Sequence, residues 1–270
     1  MRALVTGASG FIGRALCKRL VAQGDTVIGA GRSRHAELPP EVEFIKTDIK
    51  DPKELMGLKV DVIFHLAGNP NVWYAQQQPA DDFRTNVGGA VHMLELAKQN
   101  NARLIFPSSI ALYAGEKAPF KEEDVQITSV YAAGKHAVEL YCKQYHDAYG
   151  VKAVVLRLGY VYGPGIPRGP IADILKGGPL FMHQDSVLDF VHIDDVIDAM
   201  LKAAEQGTFG IYNISSGEGT SVSKLLALMK SSVQADSAKP KKRLVLDITR
   251  ARHMLGWAPK TRLEDGLCNQ

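Results

Sequence analysis

Tyr131 and Lys135 stand four residues apart in Ser129-Val130-Tyr131-Ala132-Ala133-Gly134-Lys135, a spacing that puts two side chains on one face of a helix with about 3.6 residues per turn. A phenol ordinarily keeps its proton to about pH 10, but an ammonium nearby favours the phenolate and draws that value towards neutrality, where proton transfer works best. The pair can therefore serve as an acid/base device, although the same spacing also occurs on ordinary solvated helix faces. A hydroxyl able to hold a substrate oxygen is offered by Ser109, in Ser108-Ser109-Ile110-Ala111-Leu112-Tyr113. Taken alone, a serine there reads as a turn residue bonded to backbone.

A second kind of chemistry is written near the start of the chain. Leu4-Val5-Thr6-Gly7-Ala8-Ser9-Gly10-Phe11-Ile12-Gly13-Arg14 runs from an apolar strand through three glycines into the apolar-periodic helix Ala15 to Val21. Gly7 permits a tight turn and Gly10 lets the N–H groups opening the helix, at Phe11 and Ile12, approach a pyrophosphate. Gly13 lets helix and sheet pack closely. The motif is a phosphate cradle of the dinucleotide type, and a plain strand-to-helix turn is its bland alternative.

With both motifs present, the chain resembles the extended short-chain dehydrogenase/reductase family of NAD(P)-dependent sugar epimerases, dehydratases and ketoreductases. The likeness continues through Asp48-Ile49, His65-Leu66-Ala67-Gly68, Asn86-Val87-Gly88-Gly89 and Arg157-Leu158-Gly159-Tyr160-Val161-Tyr162-Gly163. It extends late into the chain through Asp189-Phe190-Val191-His192-Ile193-Asp194-Asp195, Tyr212-Asn213-Ile214-Ser215 and Leu255-Gly256-Trp257. The resemblance implies that Ser109, Tyr131 and Lys135 are catalytic, Ser109 lying four residues before Tyr113 as in the family pattern. It implies that Lys135 bonds the nicotinamide ribose, that Asp48 and Ile49 meet the adenine, and that Leu66, Ala67 and Gly68 line the path to the nicotinamide. Asn86, whose plain reading is a helix cap or a stabiliser of a loop, is placed by it near the cofactor.

Composition agrees with a globular enzyme. Of 270 residues, 46% are apolar and 23% charged, with a net charge of +3, which is ordinary for a folded domain and points to no polyanionic partner. The densest basic run, Lys239-Pro240-Lys241-Lys242-Arg243, reads as a solvated loop rather than a nucleic-acid patch. Cys17, Cys142 and Cys268 cannot all pair and show no metal-ligand spacing, which favours a reducing compartment and no metal centre. No signal peptide and no apolar run near ~20 residues is apparent, so a cytoplasmic location without membrane insertion is expected.

Strand-like and helix-like patterns alternate, predicting an α/β fold: a Rossmann-type doubly wound parallel sheet with a small C-terminal substrate-binding lobe. Strands are expected over 2–6, 26–30, 43–47, 60–66, 103–107 and 153–158, and helices over 13–23, near 52–56, over 80–99 and over 129–149. Residues 1–163 would form the dinucleotide-binding domain, joined by returning segments near 186–216. Residues 164–185 and 217–270 would form the lobe. Two segments, 188–193 and 210–213, look like strands returning to the main sheet. His192 is read as structural, ahead of a helix capped by Asp194, and His65 as bonding nearby backbone.

Just past the second strand, NAD sites usually offer a carboxylate to the adenosine ribose. This chain has Gly31 there, followed by Arg32, Ser33 and Arg34. With no acid to repel a 2′-phosphate and two guanidiniums to hold it, NADP(H) is favoured and NAD(H) remains possible.

Ile110-Ala111 follow Ser109 where family dehydratases carry an acid, so epimerisation or net oxidation and reduction of a secondary alcohol is expected rather than a 4,6-dehydration. Trp73, Ser109, Tyr160 and Arg168 are candidate substrate contacts. Tyr160 and Leu188 stand where many relatives have Asn and Arg for a diphosphate. Arg168, Lys176 or the 241–243 run must then substitute, or the substrate is a smaller sugar, lactone or carbonyl compound. A sugar nucleotide is placed first. A cofactor-sensing regulatory subunit is the alternative of another class, and the retained Ser109, Tyr131 and Lys135 argue against it. Val130, Tyr131, Ala137, Val138, Leu140, Tyr141 and Tyr145 spread apolar surface around one helix, which favours a homodimer.

Overall fold

The computed structural model describes residues 1–115 and 117–268. Eleven strands are formed among the described residues: β1 (Arg2–Thr6), β2 (Thr26–Gly31), β3 (Glu43–Lys46), β4 (Val62–His65), β5 (Arg103–Ser109), β6 (Lys152–Leu158), β7 (Tyr160–Tyr162), β8 (Val187–His192), β9 (Gly210–Ile214), β10 (Gly219–Ser221) and β11 (Arg243–Leu244). The α-helices are α1 (Phe11–Ala22), α2 (Val72–Gln77), α3 (Pro79–Asp82), α4 (Gly89–Asn100), α5 (Val130–Tyr149), α6 (Pro170–Leu175), α7 (Ile193–Ala204), α8 (Val222–Leu228) and α9 (Leu263–Leu267).

The main sheet has seven strands in the order β3-β2-β1-β4-β5-β6-β9. β1 pairs in parallel with β2, Leu4 opposite Ile28, and with β4, Leu4 opposite Ile63. Because β1 lies inside the sheet with helices over its faces, it is a continuous apolar run, Ala3 to Val5 fully buried, rather than an alternating one. The chain order reverses direction from β1, and this reversal is the doubly wound arrangement in which ligands bind at the carboxyl ends of the strands. The fold is thus the α/β class expected from the sequence.

The segment 188–193, expected in the main sheet, is instead β8 of a second sheet. It pairs in parallel with β7, Tyr160 opposite Phe190, and with β11, and antiparallel with β10. Alternating polarity identifies a strand but not the sheet that receives it. The predicted helix over 80–99 is also interrupted: α3 gives way to a wide π-type stretch over Phe83–Gly88 before α4 resumes at Gly89.

The described chain forms two compact units, one of residues 1–112, 127–156 and 200–211, the other of 113–126, 157–199 and 212–270. Their boundaries differ from the division at residue 163 drawn from the sequence. The core of the first is built from strand and helix residues such as Leu4, Ile28, Ile63, Met93, Leu104 and Val155. In the second, Tyr162, Ile171, Leu188, Phe190, Val222 and Leu225 cluster, and two buried acids brace the irregular chain. Asp189 accepts the backbone N–H groups of Ser216, Gly217 and Leu246. Asp195 accepts those of Lys260 and Thr261, while its carbonyl receives Trp257 Nε1 at 2.9 Å.

Candidate active site

The helix that carries the Tyr131/Lys135 pair is specified at both ends. Ser129 Oγ accepts the Ala132 N–H at 3.1 Å, a cap that starts α5, and Gly150 ends it in the left-handed region at φ 71°. Between these, Tyr131, Ala132, Val138 and Cys142 face inward, which fixes the rotation of the helix and turns the phenol and the amine to the same side. Lys135 Nζ lies 6.0 Å from the Tyr131 ring centroid. It donates to the Pro107 carbonyl at 2.9 Å and sits 4.5 Å from the Phe106 ring. Burial pulls the Lys135 pKa down to about 8, opposed by the charges of Asp82 and Glu139.

Pro107 belongs to β5, and Ser109 ends the same strand, so one short stretch of backbone both receives the Lys135 ammonium and delivers the serine. Ser109 Oγ accepts the Ala111 N–H at 3.1 Å. The ordinary turn role is therefore present, and it uses the oxygen while leaving the hydroxyl's proton to donate. Next to it, Ser108 gives its hydroxyl to buried Glu139 Oε1 at 2.5 Å. The Tyr131/Lys135 face of α5 is thus tied to the end of β5 that carries Ser109.

The glycine turn fits a dinucleotide phosphate. Gly7 has φ 69°, and a Cβ there would stand 2.7 Å from the Ala67 nitrogen, so the turn closes against the β4 loop only without a side chain. A Cβ on Gly13 would press into the Gly7 carbonyl and lie 2.8 Å from Ala8 Cα. Gly10 precedes α1, whose first turn, Phe11 onward, holds no acid, so its free N–H groups and positive dipole end accept an anion. The nearby loop is tied back to this turn: Ser9 Oγ donates to Ser33 O at 2.6 Å.

The other residues named from the sequence divide by position. Arg34 donates to Val42 O and Pro39 O at 2.8 and 2.7 Å, so its guanidinium braces its own loop, although Arg32 and Arg34 are both exposed. Asp48 is exposed and accepts the Lys50 N–H, while Ile49 is buried against Gly89. Leu66 and Ala67 are half-buried and Gly68 is exposed, with Ala67 N–H donated to Thr6 Oγ1 at 3.2 Å. Asn86 is not a cap. It sits in the π-type stretch, accepts Asn69 N–H at 2.7 Å and donates to Asn69 O and Asp82 Oδ1. Its amide thereby clamps the loop that Leu66, Ala67 and Gly68 begin.

His65 bonds the Thr6 hydroxyl, not backbone, at 2.9 Å. Burial, then Lys135, pushes its pKa to about 3, which leaves it neutral and outside any proton transfer near neutral pH. His192 lies at the end of β8, and its Nδ1 accepts the Asp194 N–H at 3.3 Å; the helix starts at Ile193, so the histidine caps where Asp194 was expected to. Trp73 is 77% exposed on α2, a short helix outside the elements expected from the sequence. Asn71 Oδ1 starts it by accepting the N–H groups of Trp73 and Tyr74, a cap signal that was legible in the sequence.

In the second unit, Tyr160 packs on Phe190 and burial pushes its pKa to about 12. Leu188 is fully buried, while Arg168 is exposed. Lys176 donates to Pro167 O, and Lys241 pairs with Asp185 at 2.6 Å.

Known proteins share this fold. The model of the NAD dependent epimerase/dehydratase family matches residues 3–215. A UDP-glucose 4-epimerase of Mycolicibacterium smegmatis is 34% identical, covering 99% of this chain and 96% of that protein. The crystal structure of a UDP-glucose 4-epimerase with UDP-glucose from Thermotoga maritima superposes with a TM-score of 0.89 at 30% identity, covering 99% of this chain and 96% of that one. A dTDP-glucose 4,6-dehydratase from Streptomyces venezuelae, with NAD bound, gives a TM-score of 0.88 at 28% identity over 99% and 94%. With a phosphate-fitting glycine turn and a Tyr131/Lys135 pair beside Ser109, the chain belongs to the NAD dependent epimerase/dehydratase family and is an NAD(P)-dependent enzyme of it.

Proposed function

We propose that the protein is a sugar-nucleotide 4-epimerase, or a 4-ketoreductase of the same substrate class. The observation that carries this reading is the Tyr131/Lys135 pair held at the Pro107–Ser109 end of β5. Gly7, Gly10 and Gly13 hold the dinucleotide's pyrophosphate, with the Phe11 and Ile12 N–H groups directed at it. Asp48 and Ile49 take the adenine end, and the loop from Leu66 to Gly68, clamped by Asn86, flanks the nicotinamide. When bound, the nicotinamide supplies hydride exchange at a carbinol carbon.

The residues of this chain move the proton. Ser109 donates its hydroxyl to the substrate oxygen and fixes it. Tyr131, as phenolate, takes the proton from that oxygen while the alcohol is oxidised, and returns it on reduction. Lys135 shifts from Pro107 O towards the ribose and, as ammonium, stabilises the phenolate. No acid directly follows Ser109 along the chain, where Ile110 and Leu112 of the next turn are buried apolar residues, so that turn provides no extra group for the elimination of water. The dehydratase among the relatives shows that the fold alone does not decide this.

For the cofactor we propose NADP(H), with NAD(H) as the competing outcome. Gly31 puts no carboxylate at the ribose, and Arg32 with Ser33 offers a cation and a hydroxyl. Against this, Arg34 is committed to carbonyls and the S. venezuelae neighbour holds NAD. For the substrate, buried Leu188 and half-buried Tyr160 offer no charge to a diphosphate, and exposed Arg168 is the cation we assign to it; Trp73 is left to contact the sugar. A smaller keto compound is the second reading, favoured by the same apolar pair. A homodimer is proposed from Leu140, Tyr141 and Tyr149, which remain 55%, 43% and 55% exposed on α5.

The test is incubation with UDP-glucose, UDP-galactose and their 4-keto analogues, with NMR of the products and NADPH absorbance, for the protein and for Tyr131→Phe. Inversion at C4 or net reduction that vanishes in Tyr131→Phe is expected, and full turnover by that variant would refute the mechanism. Titration with NAD+ and NADP+ decides the cofactor, and Gly31→Asp should favour NAD+ in either case. Sedimentation showing a monomer at micromolar concentration would remove the dimer.

A further inference from the structure

Lys135 is a cation held against an aromatic ring and a carbonyl, with part of its surface buried, and something must keep it charged. The groups facing it are few. On α5 itself stand Tyr131, one turn before, and Glu139, one turn after. From β4 comes His65, neutral by burial, and from β5 the Phe106 ring and the Pro107 carbonyl. From the end of α3 comes Asp82, only 1% exposed. Glu139 is already engaged, one oxygen receiving the Ser108 hydroxyl at 2.5 Å and the other facing His136 Nδ1 at 3.4 Å.

Asp82 is held differently. Its Oδ1 accepts the side-chain amides of Asn69 at 2.8 Å and Asn86 at 2.9 Å. Its Oδ2 faces α5, 3.6 Å from where a Cβ on Gly134 would lie. Gly134 directly precedes Lys135, so this oxygen stands against the turn of α5 that carries the amine. A buried carboxylate with one oxygen fixed by two amides and the other turned to a helix that carries a buried amine is a counter-charge in a defined place.

We propose that Asp82 is a positioning residue of the Tyr131/Lys135 pair: one carboxylate oxygen locks the Asn69/Asn86 clamp on the β4 loop while the other keeps the Lys135 amine protonated beside the phenol. The proposal rests on the reading of that pair as the acid/base device and adds the residue that sets its working pH range. It also joins the cofactor-side loop to the proton-transfer pair through a single side chain.

Lys135 is followed by NMR through its 13C-labelled ε-carbon, assigned by its loss in Lys135→Met, in protein free of cofactor and substrate. Asp82→Asn preserves the shape and an oxygen acceptor for the two amides but deletes the charge. The Lys135 midpoint, about 8 in the parent, is expected to fall by roughly one pH unit in Asp82→Asn and to stay in place in Asp81→Asn, whose carboxylate pairs with exposed Lys50 and Arg84. The alkaline limb of the kcat–pH profile should move down by the same amount, which a merely structural defect would not produce. An unmoved midpoint in folded Asp82→Asn overturns the proposal. If that variant does not fold, Asp82→Ser, smaller and still able to bond the two amides, is read in the same way, and an unmoved Lys135 midpoint in it refutes the proposal equally. The titrations need no turnover, so failure of the proposed reaction and failure of this coupling are separate results.

Discussion

Lys135 should cost the fold stability at neutral pH, and replacing it should release that cost. The amine titrates at about 8 in the folded protein against 10.5 for a free lysine, chiefly through burial. At ~1.36 kcal/mol per pH unit this gap corresponds to an upper value of about 3.4 kcal/mol, and because part of the side chain still meets solvent we take about 2 kcal/mol. The sign follows from proton counting. Between about pH 8 and 10.5 the unfolded chain binds a proton that the folded chain has released, so stability rises with pH through that window. Below pH 8 both states are protonated and the full penalty stands.

Lys135→Met keeps the stem's volume and removes the charge, but also loses the 2.9 Å bond to Pro107 O, a loss of about 1 kcal/mol. The variant should therefore be more stable than its parent by about 1 kcal/mol at pH 7 and less stable by about 1 kcal/mol above pH 10.5, a swing of about 2 kcal/mol. Urea unfolding from pH 7 to 11 measures the swing directly. Both proteins should carry Tyr131→Phe, so that the neighbouring phenol's own titration drops out. A difference that is constant with pH, or that grows in favour of Lys135→Met as pH rises, would refute the reasoning. The same substitution should abolish turnover, making this a site where activity is maintained against stability.

Gly13→Ala forces a Cβ into the Gly7 carbonyl, so the phosphate turn must shift by roughly 1 Å and dinucleotide affinity should fall about 100-fold, read by calorimetry. Gly134→Ala meets only Asp82 Oδ2 at 3.6 Å and Val87 Cγ2 at 4.0 Å, ordinary contact, and should stabilise α5 by about 0.5–1 kcal/mol, seen as a higher urea midpoint. Asp195→Ala removes the acceptor of two backbone N–H groups and should cost about 2 kcal/mol, with near-ultraviolet circular dichroism changing around Trp257.

The chemistry of this chain was more legible than its framing. The elements β1, β2, β5, β6, α1 and α5 lie within two residues of the bounds expected for them, because a long period or an apolar run leaves little choice, whereas α4 begins nine residues later than expected and the sequence pattern set no bounds for α7 or α8. The second unit was opaque: β7, β10 and β11 are two or three residues long, too short to show any period. β8 was recognised as a strand and assigned to the wrong sheet, since its partners Tyr160, Ser221 and Leu244 are remote in sequence. At the site, Ser109, Tyr131 and Lys135 could be named from type and spacing. The division of labour between Arg32 and Arg34 could not, because it depends on where Pro39 and Val42 leave their carbonyls. Asp82 and Glu139 were invisible because an acid on a helix reads as solvated until its burial is known.

The interruption of the helix over Phe83–Gly88 explains why Asn86 can do what it does. In an unbroken α-helix from 80 to 99 the ladder would run straight past the β4 loop. The wider π-type turn swells the backbone locally, and at that swelling Asn86 reaches both the N–H and the C=O of Asn69. Gly68 must then be bare, since a Cβ there would lie 2.7 Å from Asn86 Oδ1, and Gly89 must be bare because Ile49 fills its place at 2.8 Å. One irregular turn thus accounts for three features the sequence shows separately: the asparagine, the glycine of the loop and Gly89 that follows. The clamp ends on Asp82, and Asp82 faces the helix of Lys135. The loop that flanks the nicotinamide and the amine that tunes the phenol are held by the same few side chains, so a change to either is expected to be felt by the other.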